Sequence, residues 1–319
     1  MTTLTTSRAP ADESARARRQ RRRSSDTRRK HRAAYLLLAP FLIVFITMLV
    51  IPLVYAGYLS LFRVQLIGGS AFVGLDNYVR ALADGRFLGG VAKMSLFLVV
   101  QVPIMLGLAL LFALALDTGR VRGGKFARLA IFVPYAVPGV VTTLMWGYLY
   151  GRNFGPIAQF FQAIGLGAPD LLAPGTVLGS IMNIVTWQYI GYNMVIMYSA
   201  LRAIPQELYE AARIDGAGQF RIAWSIKIPA IRSAIMLTVI FSIIGSFQLF
   251  SEPKLLYEIA PNAIGTSFSP NLYAYNLAFT NQDMNYSAAI AFLLGFMIMI
   301  VSYVVQLSTA RREKKGARR

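Results

Sequence analysis

Residues 119–125 read GRVRGGK, which fits G-x-x-x-x-G-K, the opening of a phosphate-binding loop. Such a loop cradles phosphate on backbone N–H groups. It also needs a Ser or Thr next for Mg²⁺ and a β-strand before it. Phe126 follows here and a long apolar run precedes, so the stretch reads as a short basic turn. Other chemistry is missing too. His31 is the only histidine, which removes a Ser-His-Asp triad and any multi-histidine metal site. With no cysteine there is no disulfide, thiolate ligand or thiol nucleophile. No paired acids fall within an apolar run, and Glu252 and Asp283 are expected at span ends in contact with solvent. A membrane enzyme and a proton- or cation-coupled carrier therefore both lack their groups. A solute moved by this chain would take its energy from a partner.

The most informative polar segment is IPQELYEAARIDGAGQFRIAWSIKIP, residues 204–229, set between long uncharged runs. Pro205 suits a first helical position, and Glu207 and Glu210 suit the positive end of a helix dipole. Arg213 falls in the last turn and is spaced to pair with Glu210 at i,i+3. Leu208, Ala211 and Ala212 form an apolar side. Asp215-Gly216 ends this helix, and Phe220, Ala223 and Trp224 share one face of a second. Two short amphipathic helices in a bend either lie on the bilayer surface or present a tip to something cytoplasmic.

The elements that carry this segment follow from composition. Of 319 residues, 56% are hydrophobic and 14% charged, and the mean hydropathy is +0.52. Crossing a hydrocarbon core takes roughly 20 helical residues. Six uncharged runs are long enough: 33–62, 94–116, 129–151, 171–201, 233–251 and 284–310. The runs 153–169 and 259–282 do not qualify. The first predicts a short interfacial helix; the second, rich in Asn, Ser, Thr and Tyr, predicts an exposed loop with a short helix. With six spans, 26 Lys and Arg fall on one side and 6 on the other. The positive-inside tendency then makes both termini and the 204–229 loop cytoplasmic. Residues 1–32 are expected to be a disordered basic tail, and 311–319 a basic C-terminal tail. Anionic lipid, not nucleic acid, is the expected partner of these charges.

Span 4 is the most polar-aromatic run. Asn183, Trp187, Gly191, Met194 and Tyr198 share a face, with Gln188 and Tyr192 on an adjacent strip. In span 5, Ser246 and Gln248 follow Gly245. Aromatic faces and amides suit a sugar, and the same residues suit helix–helix packing.

Glu210-Ala211-Ala212, Asp215-Gly216-Ala217, Phe220 and Ile228-Pro229 resemble the EAA loop of ABC importer permeases. Ile204-Pro205-x-Glu207-Leu208-Tyr209 extends the match to the carbohydrate branch with maltose and glycerol-3-phosphate permeases. FVGLDNYVRAL (72–82), VPYAVPGVVTTLMWGYLY (133–150) and NYSAAIAF (285–292) resemble further parts of it, with Asn285 where that branch carries Gly. The resemblance implies an all-α, six-span, MetI-like permease fold in a bacterial plasma membrane. It also implies a second permease subunit, two ATPase subunits that hold ATP and Mg²⁺, and an extracytoplasmic solute-binding protein. No cofactor or metal is expected on this chain. By the same resemblance Glu207, Glu210, Ala211, Ala212, Arg213, Asp215, Gly216, Ala217 and Phe220 couple to the ATPase. Counted from Glu210, Tyr192 takes the place of a sugar-contacting Tyr, with Tyr189 and Gln188 beside it. Ser246 and Leu249 stand where maltose-type members carry Asn, with Gln248 between them.

Overall fold

The structure, a computed structural model, describes residues 35–65, 69–119 and 121–316, with side chains to 308. The expected basic tail at 1–32 lies outside the described residues. These divide into two units at Tyr58/Leu59. Helix α1 (Tyr35–Ser60) carries a π turn at Ile46–Val50. None of its most apolar window is buried, and Leu37 is 82% exposed. A helix apolar all round and of this length is a candidate membrane span.

The fold is all-α as expected, with a short hairpin between its helices. Strand β1 (Phe62–Gln65) pairs antiparallel with β2 (Gly69–Phe72), and the rings of the paired Phe62 and Phe72 meet edge-on at 5.3 Å. Helix α2 (Asp76–Ala83) follows. Asn77, buried, donates from Nδ2 to the Ser60 and Phe62 carbonyls at 2.9 and 2.8 Å and so closes the hairpin onto α2.

Helix α3 (Gly85–Asp117) is the central post. Met94 and Phe97 join one apolar cluster, and Met105, Ala109 and Ala113 join another. Fully buried alanines let neighbouring helices approach closely, the usual basis of packing in lipid. The span expected at 129–151 is broken into helix α4 (Gly124–Ala136) and helix α5 (Gly139–Leu149), which meet at 96°. Pro138 forces Val137 out of helical geometry (ψ 130°), which ends α4 there. Helix α6 (Pro156–Ala163) is the expected short one. Helix α7 (Val177–Arg202) begins later than 171 and packs against α3 and α4.

Two short helices, α8 (Gln206–Ile214) and α9 (Gln219–Ile222), form the polar insert. A π turn at Ala223–Lys227 leads from α9 into α10 (Ile228–Ala230). Helix α11 (Arg232–Phe247) stops at a three-residue break before α12 (Ser251–Tyr257). Glu252 is therefore not at a solvated end. It is 8% exposed, because the chain turns and continues as helix beyond it.

The segment 259–282 also departs from the exposed loop expected. Ile264, Phe268, Leu272 and Leu277 are buried, and helix α13 (Pro270–Tyr275) packs on α3 and on α14 (Met284–Gly316). The break after α11 explains this, since it frees carbonyls that need donors. Ser269 Oγ donates to Leu249 O at 2.7 Å, and Asn271 Nδ2 donates to Gln248 O at 3.0 Å. Two of the polar residues that argued for exposure, Ser269 and Asn271, cap the carbonyls of this break. Asn285, the departure noted in the last span, likewise donates to Leu59 O at 2.9 Å.

By length and hydropathy four stretches qualify as spans among the described residues: α1, α3, Arg232–Tyr257 and Met284–Ser308. The α4–α5 pair makes five if it is one bent span. Helix α7 has 26 residues but falls outside this set, since its amides and tyrosines lower its hydropathy.

Candidate functional site

Two sites emerge, a cavity within the helices and the insert at their edge. The cavity, about 450 Å³, lies between α3, α4, α7 and the α11–α12 break. Tyr189, Tyr192, Ser246, Gln248 and Leu249 all line it, so residues from two separate runs meet as expected. The aromatic wall gains a member that pattern did not indicate. Tyr135, at the end of α4, stacks on Tyr192 (centroids 4.8 Å apart, 22° between planes) and meets Tyr189 edge-on at 5.8 Å. Gln101, Asn193 and Glu252 were missed too. Gln101 is the single amide in its apolar run, which was the available signal; it donates to Thr186 Oγ1 at 3.1 Å. Asn193 Nδ2 donates to Tyr189 O at 3.0 Å and braces the tyrosine's own backbone.

Gln188 stands apart. It is buried, does not line the cavity, and donates to Val137 O at 3.3 Å, the carbonyl freed by the α4–α5 bend. Its place is in the frame behind the aromatic wall. The Asn183–Tyr198 face of α7 is likewise mostly packing. Trp187 meets Trp146 edge-on at 5.8 Å, and Met194 is fully buried. At Gly191 the α4 backbone comes so close that a Cβ would collide with the Ile131 carbonyl.

The insert begins one residue later than expected, with Pro205 at the N-cap and Gln206 first in the helix. Gly216 closes α8 in the left-handed region (φ +76°), where Ala217 N donates to Ala212 O at 2.9 Å. Glycine takes that conformation without the penalty a Cβ brings. The expected Glu210–Arg213 pair does not form. Both side chains line a polar cleft of about 260 Å³ with Arg202 and Tyr209. Ala211 and Asp215 are exposed, and Ala212 and Ala217 half-buried.

Three large apolar residues of the insert do not rest on the helices. Ile214 is 87% exposed, Phe220 82% and Trp224 68%, with the last two rings stacked at 6.5 Å. What holds the insert is Ile222, buried, and an ion pair that sequence reading missed: Lys227 Nζ to Asp117 Oδ2 at 2.6 Å. The Tyr209 ring lies 5.0 Å from Lys227 Nζ. Burial, reinforced by the Asp117 carboxylate and opposed by Arg202, pushes the Tyr209 phenol above its usual value. Asp117 borders the uncharged run 94–116, Lys227 lies inside the insert 110 positions away, and nothing local pairs them.

Comparison with known proteins follows the same lines. Residues 81–315 match the family described as "Binding-protein-dependent transport system inner membrane component". The diacetylchitobiose uptake system permease protein of Streptomyces coelicolor is 30% identical over 74% of this chain and 70% of its own length. The trehalose/maltose transport system permease protein of Thermococcus litoralis is 29% identical over 88% and 94%. The glycerol-3-phosphate transport system permease protein of Shigella flexneri is 32% identical over 85% and 91%. A bacterial ABC transporter that imports the acidic polysaccharide alginate aligns at TM-score 0.79 and 18% identity, covering 91% of this chain and 99% of that one, which shows a shared fold. With helical spans, a polar insert bolted to the central helix and this family match over most of its length, the chain belongs to the inner membrane components of binding-protein-dependent transport systems.

Proposed function

We propose that this chain is a permease subunit of an ATP-driven importer for a sugar or sugar-like solute, delivered by an extracytoplasmic binding protein. The observation that carries this reading is the insert at 206–227. It exposes Ile214, Phe220 and Trp224 outward, yet is anchored inward through Lys227 to the central helix. Exposed aromatics on a rigid mount fit a docking knob, since such side chains dominate interface energetics. The sugar class rests on the relatives' names and on the tyrosine-and-amide cavity.

The partner that receives the knob is a separate ATPase, two copies per complex, which hold ATP and Mg²⁺. A second permease completes a heterodimer. Six spans, counting α7 and taking α4–α5 as one bent span, put the termini and the insert on the cytoplasmic side of a bacterial plasma membrane. ATP-driven closure of the ATPase dimer moves the insert, and alternating access follows. A permease for a non-sugar polar solute is the alternative reading.

The test is reconstitution of the complex purified by a tag on this chain. An ATPase should co-purify, and its hydrolysis and the uptake of labelled saccharide should both rise with the binding protein. Uptake that continues without ATP would sink the proposal.

A further inference from the structure

The cavity wall carries one ionisable acid or base besides its tyrosines, and it is Glu252. The rest of the wall is tyrosine rings, amides, serine hydroxyls and apolar side chains, with no Lys, Arg or His. Glu252 is 8% exposed, and among the described residues its carboxylate makes no ion pair and no hydrogen bond to another side chain. Its own backbone N–H is the one donor it meets. Lys254, two residues on, faces the Tyr275 ring at 5.3 Å, and Lys93 faces the Phe268 ring at 4.8 Å. Buried carboxylates ordinarily have a partner, because desolvation of an unpaired one is costly. Here the protein supplies only that one backbone N–H, and the group borders an open cavity.

We infer that Glu252 is a solute-facing acceptor that restricts the cavity to uncharged or amine-bearing saccharides and turns away uronates and sugar phosphates. The inference rests on the permease reading above and adds the sign of the solute, which family membership leaves open. A carboxylate takes hydrogen bonds from vicinal hydroxyls or from an ammonium, and has nothing to offer an anion. In a site partly screened from water, two like charges repel strongly. The aromatic wall then supplies the flat faces against which a sugar ring rests.

The chain has no cysteine, which permits a direct test. Gln248, exposed on the cavity wall, becomes the single thiol of the chain in Gln248→Cys. Membrane vesicles carrying the full chain are treated with a cationic methanethiosulfonate (trimethylammonium) or an anionic one (sulfonate). Each rate is normalised to that of a free thiol. The cationic reagent should be favoured by about tenfold, the order one unit charge produces in a partly wet site. Adding Glu252→Gln should abolish the bias, and Glu252→Lys should reverse it, in protein that still extracts as folded complex. Equal normalised rates with Glu252 present, or a bias that survives Glu252→Gln, would overturn the inference. So would failure of both reagents to react, since the cavity would then be closed to small solutes. A clear bias in a transporter whose cargo is not a saccharide would count against the proposed function and leave the charge selectivity standing.

Discussion

Lys227 Nζ sits 2.6 Å from Asp117 Oδ2, with both side chains less than 8% exposed, and this pair joins the polar insert to the end of the central helix. A buried pair contributes little against an apolar replacement, but breaking it from one side leaves an uncompensated charge. The position matters more than the strength. The pair links α3, which lines the cavity, to the π turn that follows α9.

Lys227→Met should therefore destabilise the protein by about 3–5 kcal/mol, and Asp117→Asn added to it should recover most of that loss. Thermal unfolding in detergent reads the first effect. The ratio of ATP hydrolysed to solute moved reads the second, and should stay raised in the recovered double variant, because the insert no longer pulls on α3. A double variant with wild-type coupling would show the pair to be structural only.

Gly216→Asp should leave ATP hydrolysis running while uptake is lost, with the permease still inserted. A Cβ at Gly216 meets open space, so the obstacle is backbone handedness, worth about 1–2 kcal/mol. Gly218→Ala is the control: its φ is −71° and the space is also open. Gly218→Ala should keep normal coupling; equal behaviour of the two variants would remove the turn from the mechanism.

Tyr192 and Gln188 separate the cavity from its frame. Tyr192→Ala removes the ring stacked on Tyr135 and should cut uptake about tenfold at unchanged complex levels. Gln188→Ala strips the donor from Val137 O and should cost about 1–3 kcal/mol of stability, with the apparent affinity for solute nearly unchanged. The opposite split, a stable Gln188→Ala with weakened affinity, would return Gln188 to the solute path.

At the N-terminal end of α3, Asp84 accepts from the Tyr273 and Tyr286 phenols at 2.7 and 2.8 Å. Burial raises its pKa, but the two phenols and the Arg86 and Phe87 amides outweigh that and hold it below 3.8. The sign follows: the folded state favours the ionised form, so this contribution is complete above 3.8. It is lost as pH falls through the lower folded value. Burial first, then the bond to Asp84, pushes Tyr273 up to about 12, so its contribution is present below 10 and lost toward 12. In Asp84→Asn, unfolding midpoints should vary less between pH 5 and 3 than in the parent chain; equal slopes would remove Asp84 from the acid response.

Reporter fusions check the span count. One after Arg122 should be cytoplasmic and one at Asn262 outside. Asn262 is exposed, whereas Asn271 lies on the packed helix α13, where a fusion would disrupt the cap on Gln248 O. A cytoplasmic signal at Asn262 would refute six spans.

Residue order alone was enough for the membrane class, the insert and its turn, because those depend on composition and on short-range rules. A charge-free run long enough to span, or Asp215-Gly216 ending a helix, needs no distant neighbour. The cavity positions Tyr189, Tyr192, Ser246 and Leu249 were also legible, through resemblance, and Gln248 through its polarity after Gly245. Tertiary structure alone decided which polar groups face a void and which serve as caps. Gln188 and Asn271 look like solute or solvent contacts in sequence, but each binds a carbonyl freed by a helix break more than twenty residues away. Glu252 reads as a span end until the chain is seen to turn and continue past it. Asp117 and Lys227 become partners only when α3 and the insert meet. The physical reason is common to all four. A buried polar group is costly without a partner, and whether and where it finds one depends on where the breaks bring distant segments together.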